Sequence, residues 1–352
     1  MLTMELELKV RRRFGGCVKG FKHETIANGW YQIGWTTDFE AERLTPLRYF
    51  GEALAATRGA DGSIHVMDAI CSHFGANLGV AGRVDDGCVV CPFHGWRWGL
   101  DGRNVSIPYS AHGPLEVRLR TWPVVEQAGL VFAWHGPPDD SPAWELPALL
   151  PDDGREWLAL PVATRLWRDL HIVPQVVSEN SVDAAHFVYV HGSADVPSMT
   201  ACEDRGPIFY TSYEMAFGAP DHPTWATPDG PLRGSITNQC FGVGMTLALL
   251  EAFDAVLNLA STTPIDVDRS DHRSTVWVAA QRRDGAAVTP DLQMRWAEQQ
   301  FAQIEADFDI MENLSYRVRP VLAREEIAPI RALRKWADRF YGTDGKAEVS
   351  CG

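Results

Sequence analysis

The 352-residue chain has only seven cysteines, an odd number scattered at Cys17, Cys71, Cys88, Cys91, Cys202, Cys240 and Cys351. That scatter excludes a disulfide framework and points to a reducing compartment. Basic charge is also short: with a net charge of -14 there is no cationic excess to neutralise phosphates, which argues against a nucleic-acid partner. The first residues, M-L-T-M-E-L-E-L-K-V-R-R-R-F-G-G, have no apolar stretch after the arginines and match neither a secretory nor a twin-arginine signal. No apolar run suits a membrane span; the longest, 241–260, is interrupted by Glu251 and Asp254. A cytoplasmic protein is expected. Internal repeats are missing, and so is a G-x-G-x-x-G turn: Gly242-Val243-Gly244 lacks the third glycine, so no nicotinamide or flavin site is expected within the chain. What remains is an ordinary globular composition, 45% hydrophobic and 22% charged, on a chain long enough for two domains.

Against that background, four residues carry most of the information. Cys71 and His73 lie in C-S-H-F-G-A-N-L-G, and Cys91 and His94 in C-P-F-H-G-W. Each half supplies one thiolate and one imidazole, the ligand set of a Rieske [2Fe–2S] centre, where two Cys hold one iron and two His the other. A structural zinc site is the alternative, but zinc fingers pair Cys with Cys and His with His. Here each half is mixed, as C-x-H and C-x2-H. Cys88 lacks such a partner and is expected to be a buried thiol. Gly75, Gly79, Pro92 and Gly95 supply the tight turns that let backbone N–H groups face sulfur. The cluster signals single-electron transfer.

Short β-like segments at 47–50, 54–57, 64–68, 88–90 and 130–133, punctuated by Asp-Gly turns at 61, 86 and 101, predict a small antiparallel β domain over 26–135. A Pro-rich boundary follows at 136–153. Strands are then expected at 156–172, 206–218, 232–262 and 272–283, with one helix over 175–190 and a long one over 290–321. In the long helix Ala297, Phe301, Ile304, Phe308, Met311 and Leu314 form an amphipathic stripe. The expected fold is α+β: the β domain, then a second domain over 136–352, with residues 1–25 packed on it, in which a long C-terminal helix lies on an antiparallel sheet. The Pro- and Gly-rich stretch 193–235 is a candidate entrance loop. The run 240–253 is read mostly as sheet core, with a share in an apolar pocket wall.

A cluster on a chain this long needs an electron acceptor, and residues 178–192, S-E-N-S-V-D-A-A-H-F-V-Y-V-H-G, offer one. Asp183, His186 and His191 form D-x2-H-x4-H. Two His and one carboxylate make the facial triad of non-haem Fe(II) oxygenases, which leaves one side of the iron open. On a regular helix His186 and His191 would diverge by about 140°, so the helix must bend, bulge or end between them; Gly192 favours an end. Asp183, at i,i+3 to His186, is placed to accept a hydrogen bond from the ring nitrogen that His186 does not give to metal. The third ligand must come from elsewhere. The long helix offers Asp307, Asp309 and Glu312, of which Asp307 lies nearest the apolar stripe. His171 is read as structural.

Together these motifs resemble the Rieske non-haem iron oxygenases, in particular the oxygenase component of the 3-ketosteroid 9α-hydroxylase group. N-G-W-Y from Asn28, C-P-F-H-G-W-R-W-G from Cys91, I-P-Y at 107–109, E-N-S-V-D-A-A-H-F-V-Y-V-H and T-P-I-D from Thr263 carry the resemblance nearly end to end. It implies that Cys71, His73, Cys91 and His94 hold the cluster. It implies that His186, His191 and Asp307 (followed here by Ile310-Met311-Glu312) hold mononuclear Fe(II), and that Asn180 lies near that iron. Asp183 would bridge an iron-ligand His to His94 of a neighbouring subunit in a head-to-tail homotrimer. The second domain would be a helix-grip fold. The implied activity is O2-dependent hydroxylation of a hydrophobic, steroid- or terpenoid-like substrate, with electrons from a separate ferredoxin/flavin NAD(P)H reductase. Desaturation, dealkylation, arene dihydroxylation and a non-catalytic Rieske electron carrier are the alternatives.

Overall fold

A computed structural model describes residues 20–138, 140–217, 231–252 and 254–342, the side chains of 159–162 excepted. In the first third of the chain, strands are short because turn residues interrupt them every few positions. Thr45–Tyr49, Glu52–Arg58, Ile64–Asp68 and Thr121–Trp122 form one antiparallel sheet. Arg83–Asp85, Cys88–Val90, Arg97–Gly99 and Asn104–Ser106 form a second. The Asp86-Gly87 turn opens that second sheet with both residues at positive φ (48° and 67°), the conformation a two-residue hairpin asks for and Asp-Gly supplies. A third sheet pairs Gly29–Trp35 and Val124–Gln127 with the central strand Leu130–His135. Residues 20–25 lie against the chain's far end, where Phe21 packs on Tyr316 (5.0 Å) and Tyr341 (6.1 Å); residues 1–19, including the arginine run and Cys17, fall outside the described residues, as does Cys351.

The second domain is a seven-stranded antiparallel sheet in the order Trp157–Leu170, Ser270–Ala279, Ala255–Pro264, Met245–Glu251, Leu232–Phe241, Ile208–Phe217, Ser198–Arg205. The helix Pro290–Met311 lies across it: the α+β, helix-grip arrangement expected. Thr289 caps this helix, its Oγ1 accepting from the Leu292 N–H (3.3 Å), with Pro290 in the first turn. Its buried Trp296, Ala297 and Phe301 meet Val276, Val278 and Ile236 of the sheet. Each large apolar side chain so buried contributes about 1.5–3 kcal/mol.

Several sequence expectations are corrected. The long helix ends at Met311 rather than 321: the last turn tightens, Asn313 Nδ2 caps the Asp309 carbonyl (2.8 Å), and buried Tyr316 pulls the chain inward. Leu314 therefore leaves the stripe. The expected helix over 175–190 is Pro174–Glu179 running straight into a 3-10 turn, Asn180–Val182, and then, after extended Asp183 (φ -95°, ψ 98°), a short helix His186–Tyr189. The expected strand 232–262 folds into three, turning at Gly242 and again before Ala255. Much of the candidate entrance loop 193–235 is sheet, Ser198–Arg205 and Ile208–Phe217; residues 218–230 of it lie outside the described residues. Cys88 is half-buried rather than buried. An unexpected helix, Ile327–Ala337, contains Pro329, tolerated because it sits in the first turn, where its missing N–H has no intrahelical partner to lose.

The two domains share a polar seam. Arg273, on the catalytic sheet and 3% exposed, donates to the carbonyls of Gln32 (3.2 Å) and Ile33 (3.3 Å) in the Gly29–Trp35 strand. Tyr49 of the first domain donates to Asp271 Oδ2 (2.9 Å) on the catalytic sheet.

Candidate metal centres and substrate cavity

The two Cys/His half-motifs fold alike. In the first, the Cys71 N–H donates to the Ala76 carbonyl (2.9 Å) and the Gly75 N–H returns to the Cys71 carbonyl (2.9 Å). In the second, the Cys91 N–H donates to the Trp96 carbonyl (2.8 Å) and the Gly95 N–H to the Cys91 carbonyl (3.0 Å). Both glycines have left-handed backbones, φ +76° and +73°, which close loops this tight without a Cβ penalty. Asn77 holds the short helix after the first loop, its side chain accepting from the Gly79 and Val80 N–H groups. The loops bring buried Cys71 and Cys91 together, with the His73 and His94 rings 4.7 Å apart and His73 stacked on Trp96 at 4.5 Å. Burial pushes the Cys71 thiol above its ordinary pKa. The Nδ1 atoms of His73 and His94 are buried without a hydrogen-bond partner among the described residues. Two crowded thiols and two orphaned imidazole nitrogens fit a Rieske cluster. Around them Phe74 (71% exposed), Phe93 (63%) and Tyr109 (61%) form an apolar rim open to solvent.

The second constellation assembles from elements far apart in sequence. His186 opens the helix that ends at Tyr189; His191 lies beyond that end, next to Gly192 at φ +68°, so the divergence of the two histidines on a regular helix never arises. Their rings come to 4.9 Å, and Asp307 reaches them from the long helix, its Oδ1 3.6 Å from His191 Nε2. The possible ligand atoms of His186, His191 and Asp307 all lie within 4.8 Å of one another. Of the other helix candidates, Asp309 is exposed, and Glu312 accepts from the His171 N–H (3.2 Å), away from the cluster. His171 lies outside the cluster: its backbone meets Glu312 and its ring interacts electrostatically with Asp268.

Asp183 acts differently from expectation. The His186 Nδ1 meets the backbone carbonyl of Asp183 at 2.6 Å, whereas the Asp183 carboxylate stands 4.0 Å away. That carboxylate instead accepts from the Ala185 (3.0 Å) and His186 (3.3 Å) N–H groups, because the chain turns at Asp183 instead of continuing as helix. The carbonyl contact requires a proton on Nδ1 and leaves Nε2 as the free lone pair of His186. Burial holds the His186 pKa below its ordinary value, so the ring is neutral, as a metal ligand must be. Asn180 Nδ2 donates to Asp307 Oδ2 (3.2 Å), leaving Oδ1 on the His191 side. Burial, with a smaller push from Asp183, raises the Asp307 carboxyl to about 7 against the pull of Asn180. A buried carboxylate between two neutral imidazoles is a cation site by its donor set.

These residues line a cavity of about 1050 Å³, open mouth included, between the sheet and the long helix. Its walls are mainly apolar, among them Phe187, Met215, Phe217, Leu250, Ile304 and Phe308. From the run 240–253, Thr246, Ala248 and Leu250 face the cavity, while Met245 and Leu247 point into the core on the opposite face. Strand alternation makes that run both wall and core.

The comparison with known families decides the identity. The 3-ketosteroid 9alpha-hydroxylase C-terminal domain matches residues 133–341, and the Rieske [2Fe-2S] domain matches residues 29–123. The chain belongs to the 3-ketosteroid 9α-hydroxylase family of Rieske oxygenases. It is 28% identical over 340 residues to a probable 3-ketosteroid-9-alpha-monooxygenase oxygenase component of Rhodococcus rhodochrous, covering 92% of this chain and 82% of that one. It is 26% identical to a cholesterol 7-desaturase of Drosophila melanogaster, covering 91% of this chain and 76% of the relative. Its fold matches dicamba monooxygenase bound to dicamba with a TM-score of 0.67 at 19% identity, over 91% of this chain and 98% of that one. The oxygenase carries a Rieske [2Fe–2S] cluster and a mononuclear non-haem iron as its cofactors. Among the described residues no helix is long and apolar enough to cross a membrane.

Within the oxygenase's cavity, sequence reasoning missed the polar members Asn238, Asn258, His272 and Gln300. For two of them a signal was present: Asn258 interrupts the apolar stretch 255–260, and Gln300 sits on the apolar stripe of the long helix; Asn238 lies in a strand that also holds Arg233, Ser235 and Gln239 and carried none.

Proposed function

We propose that this oxygenase hydroxylates an apolar, polycyclic substrate of the steroid or terpenoid class, using electrons from a separate NAD(P)H-dependent ferredoxin/flavin reductase. The observation that carries the reading is the convergence of His186, His191 and Asp307 in the wall of a large, mainly apolar cavity. When bound, the cluster supplies single electrons and the mononuclear iron activates O2. The chain's own residues do the rest. Cys71, His73, Cys91 and His94 present the cluster ligands from two rigid loops. The Asp183 carbonyl fixes the His186 tautomer, and Asn180 fixes which Asp307 oxygen faces the histidines. Phe187, Ile304 and Phe308 keep water from the reacting carbon and hold the substrate by its hydrocarbon surface.

Asp183 has a further role in this reading. With Oδ1 taken by two N–H groups and the side chain 40% exposed, its carboxylate can receive His94 of a second copy, linking the two centres across a head-to-tail homotrimer. The solvent-facing aromatics Phe74 and Phe93 beside His94, and Tyr189 (85% exposed) beside His186, are the apolar surfaces such a contact would cover. The chain's composition favours the cytoplasm as its compartment.

The similarity to cholesterol 7-desaturase supports a second outcome, removal of two hydrogens instead of insertion of oxygen. Incubation of the iron-loaded protein with a generic reductase, NADH and a panel of ketosteroids, sterols and terpenoids separates them. Hydroxylation adds one oxygen to product mass, and desaturation subtracts two hydrogens. An iron-replete protein that transforms and binds none of the panel refutes the proposal.

A further inference from the structure

Asn180 stands where the helix Pro174–Glu179 gives way to the 3-10 turn Asn180–Val182, and its Nδ2 donates to Asp307 Oδ2 at 3.2 Å. That bond is at the long end of the N–H···O range, so a small shift of Asn180 breaks it. Whatever holds Asn180 in place is therefore part of how the triad is built. On its C-terminal side the neighbour Ser181 is tied to the sheet. The Ser181 carbonyl accepts from Thr211 Oγ1 (2.9 Å) and the Tyr213 hydroxyl (2.8 Å), and the Ser181 hydroxyl donates to the Ser178 carbonyl (2.7 Å).

On the other side the neighbour is Glu179, whose carboxylate is gripped from the far end of the chain. Its Oε1 accepts from the Tyr316 hydroxyl (2.8 Å), Gln175 Nε2 (3.1 Å) and Arg334 Nε (3.1 Å), and its Oε2 accepts from Arg334 Nη2 (2.7 Å). Arg334 belongs to the helix Ile327–Ala337. Its two nitrogens match the two carboxylate oxygens, a fork that fixes direction as well as contact. The guanidinium is itself held: Nη1 donates to the Arg317 carbonyl (2.8 Å), and the group lies over the Tyr316 ring (4.6 Å). With side chains only 17% and 18% exposed, Arg334 and Glu179 are weakly screened by solvent. Neither residue lines the substrate cavity or belongs to the triad.

We propose that Arg334 is a positioning residue for the mononuclear iron site: by gripping Glu179 it holds Asn180 where its amide selects the Asp307 oxygen that faces the histidines. The inference rests on the site reading proposed above and deepens it. The coupling passes from Arg334 to Glu179, along the backbone to Asn180, and across to Asp307. The C-terminal helix thus tunes a metal site it never touches. Loss of a group behind a metal ligand lowers metal affinity by about 10- to 100-fold. The low end is expected here, because Ser181 still anchors the turn.

The test uses cluster-loaded protein whose mononuclear iron has been removed by chelation. Fe(II) is titrated back without O2, and the melting temperature of each variant is recorded. Arg334→Met and Glu179→Gln are each expected to weaken Fe(II) binding about tenfold while leaving the visible spectrum of the cluster unchanged. Glu179→Gln keeps its shape and carries the test where Arg334→Met does not fold. The double variant, which leaves no charge without its partner, is expected to regain melting temperature but not affinity. Trp336→Phe is the reference for simple loosening of the same helix: it removes the bond from Trp336 Nε1 to the Gly206 carbonyl (2.8 Å) and should lower the melting temperature with Fe(II) affinity unchanged. Wild-type affinity in both single variants overturns the inference, as does affinity that merely follows melting temperature across the set. Wild-type affinity in His191→Ala overturns the site reading with it.

Discussion

Acidification should destabilise the oxygenase through His272. This residue lies in the Ser270–Ala279 strand, 1% exposed, with Nδ1 2.9 Å from Thr262 Oγ1 and its ring against Trp167 (5.7 Å) and Phe308 (5.4 Å). Burial lowers its pKa from 6.5 to about 3, and neighbouring Arg273 adds to the effect. Between those values the unfolded chain binds a proton that the folded chain refuses, so the unfolded state gains as pH falls. The stabilisation is whole above pH 6.5 and is lost progressively towards pH 3. At about 1.4 kcal/mol per pH unit, the loss between pH 7 and pH 5 is about 2 kcal/mol. Urea unfolding of wild type and His272→Gln at both pH values isolates this contribution, because every other histidine titrates in both proteins. The variant should lose about 2 kcal/mol less than wild type over that interval. Equal losses in the two proteins would refute the reasoning.

Replacing His191 or Asp307 with Ala should abolish mononuclear iron binding while leaving the visible absorbance of the cluster, as checked by metal analysis and spectrum; loss of both centres together would contradict the assignment. Asp183→Asn should retain both centres and lower turnover by about 100-fold, the scale of effects seen when groups behind metal ligands are changed; unchanged turnover would remove Asp183 from the link between subunits. Gly95→Ala sets a Cβ on a φ of +73°, 3.1 Å from Pro108 Cγ. It should cost about 1–2 kcal/mol and speed cluster loss on storage, read as bleaching.

Both sets of candidate metal ligands could be picked out in the sequence, for different reasons, and the structure brings the members of each together. The cluster motif is local, and its spacing alone distinguishes it from zinc. The Fe(II) motif is weak on its own: D-x2-H-x4-H gained meaning from the cluster upstream, and helical phase left Asp307, Asp309 and Glu312 as rivals. Tertiary placement separated them, since Asp309 meets solvent and Glu312 meets the His171 backbone. The expected hydrogen bond between the Asp183 carboxylate and His186 does not form because the i,i+3 argument presumes continuous helix, and the chain turns at that residue to free the carbonyl that holds His186. The helix Ile327–Ala337 was missed because proline was weighed as a breaker without regard to its place in the first turn. That Asn238 and Asn258 share one cavity-lining face, each paired to Ala248 on the strand between them, depends on cross-strand register, which periodicity along one strand does not contain.

The two centres differ in how far apart along the chain their ligands lie, and this has a consequence for biosynthesis. The two cluster loops close on themselves through backbone bonds between neighbours, and all four ligands fall between positions 71 and 94. Every residue of that cradle, including Leu119 packed behind it, precedes the catalytic sheet in the chain and so leaves the ribosome before it. The iron triad cannot exist until Asp307 emerges, well after His186 and His191. With these residues as the ligands, the mononuclear site is the one that must wait for nearly the whole chain, and the cavity that would contain its chemistry gains its roof, the long helix, in the same step that supplies Asp307.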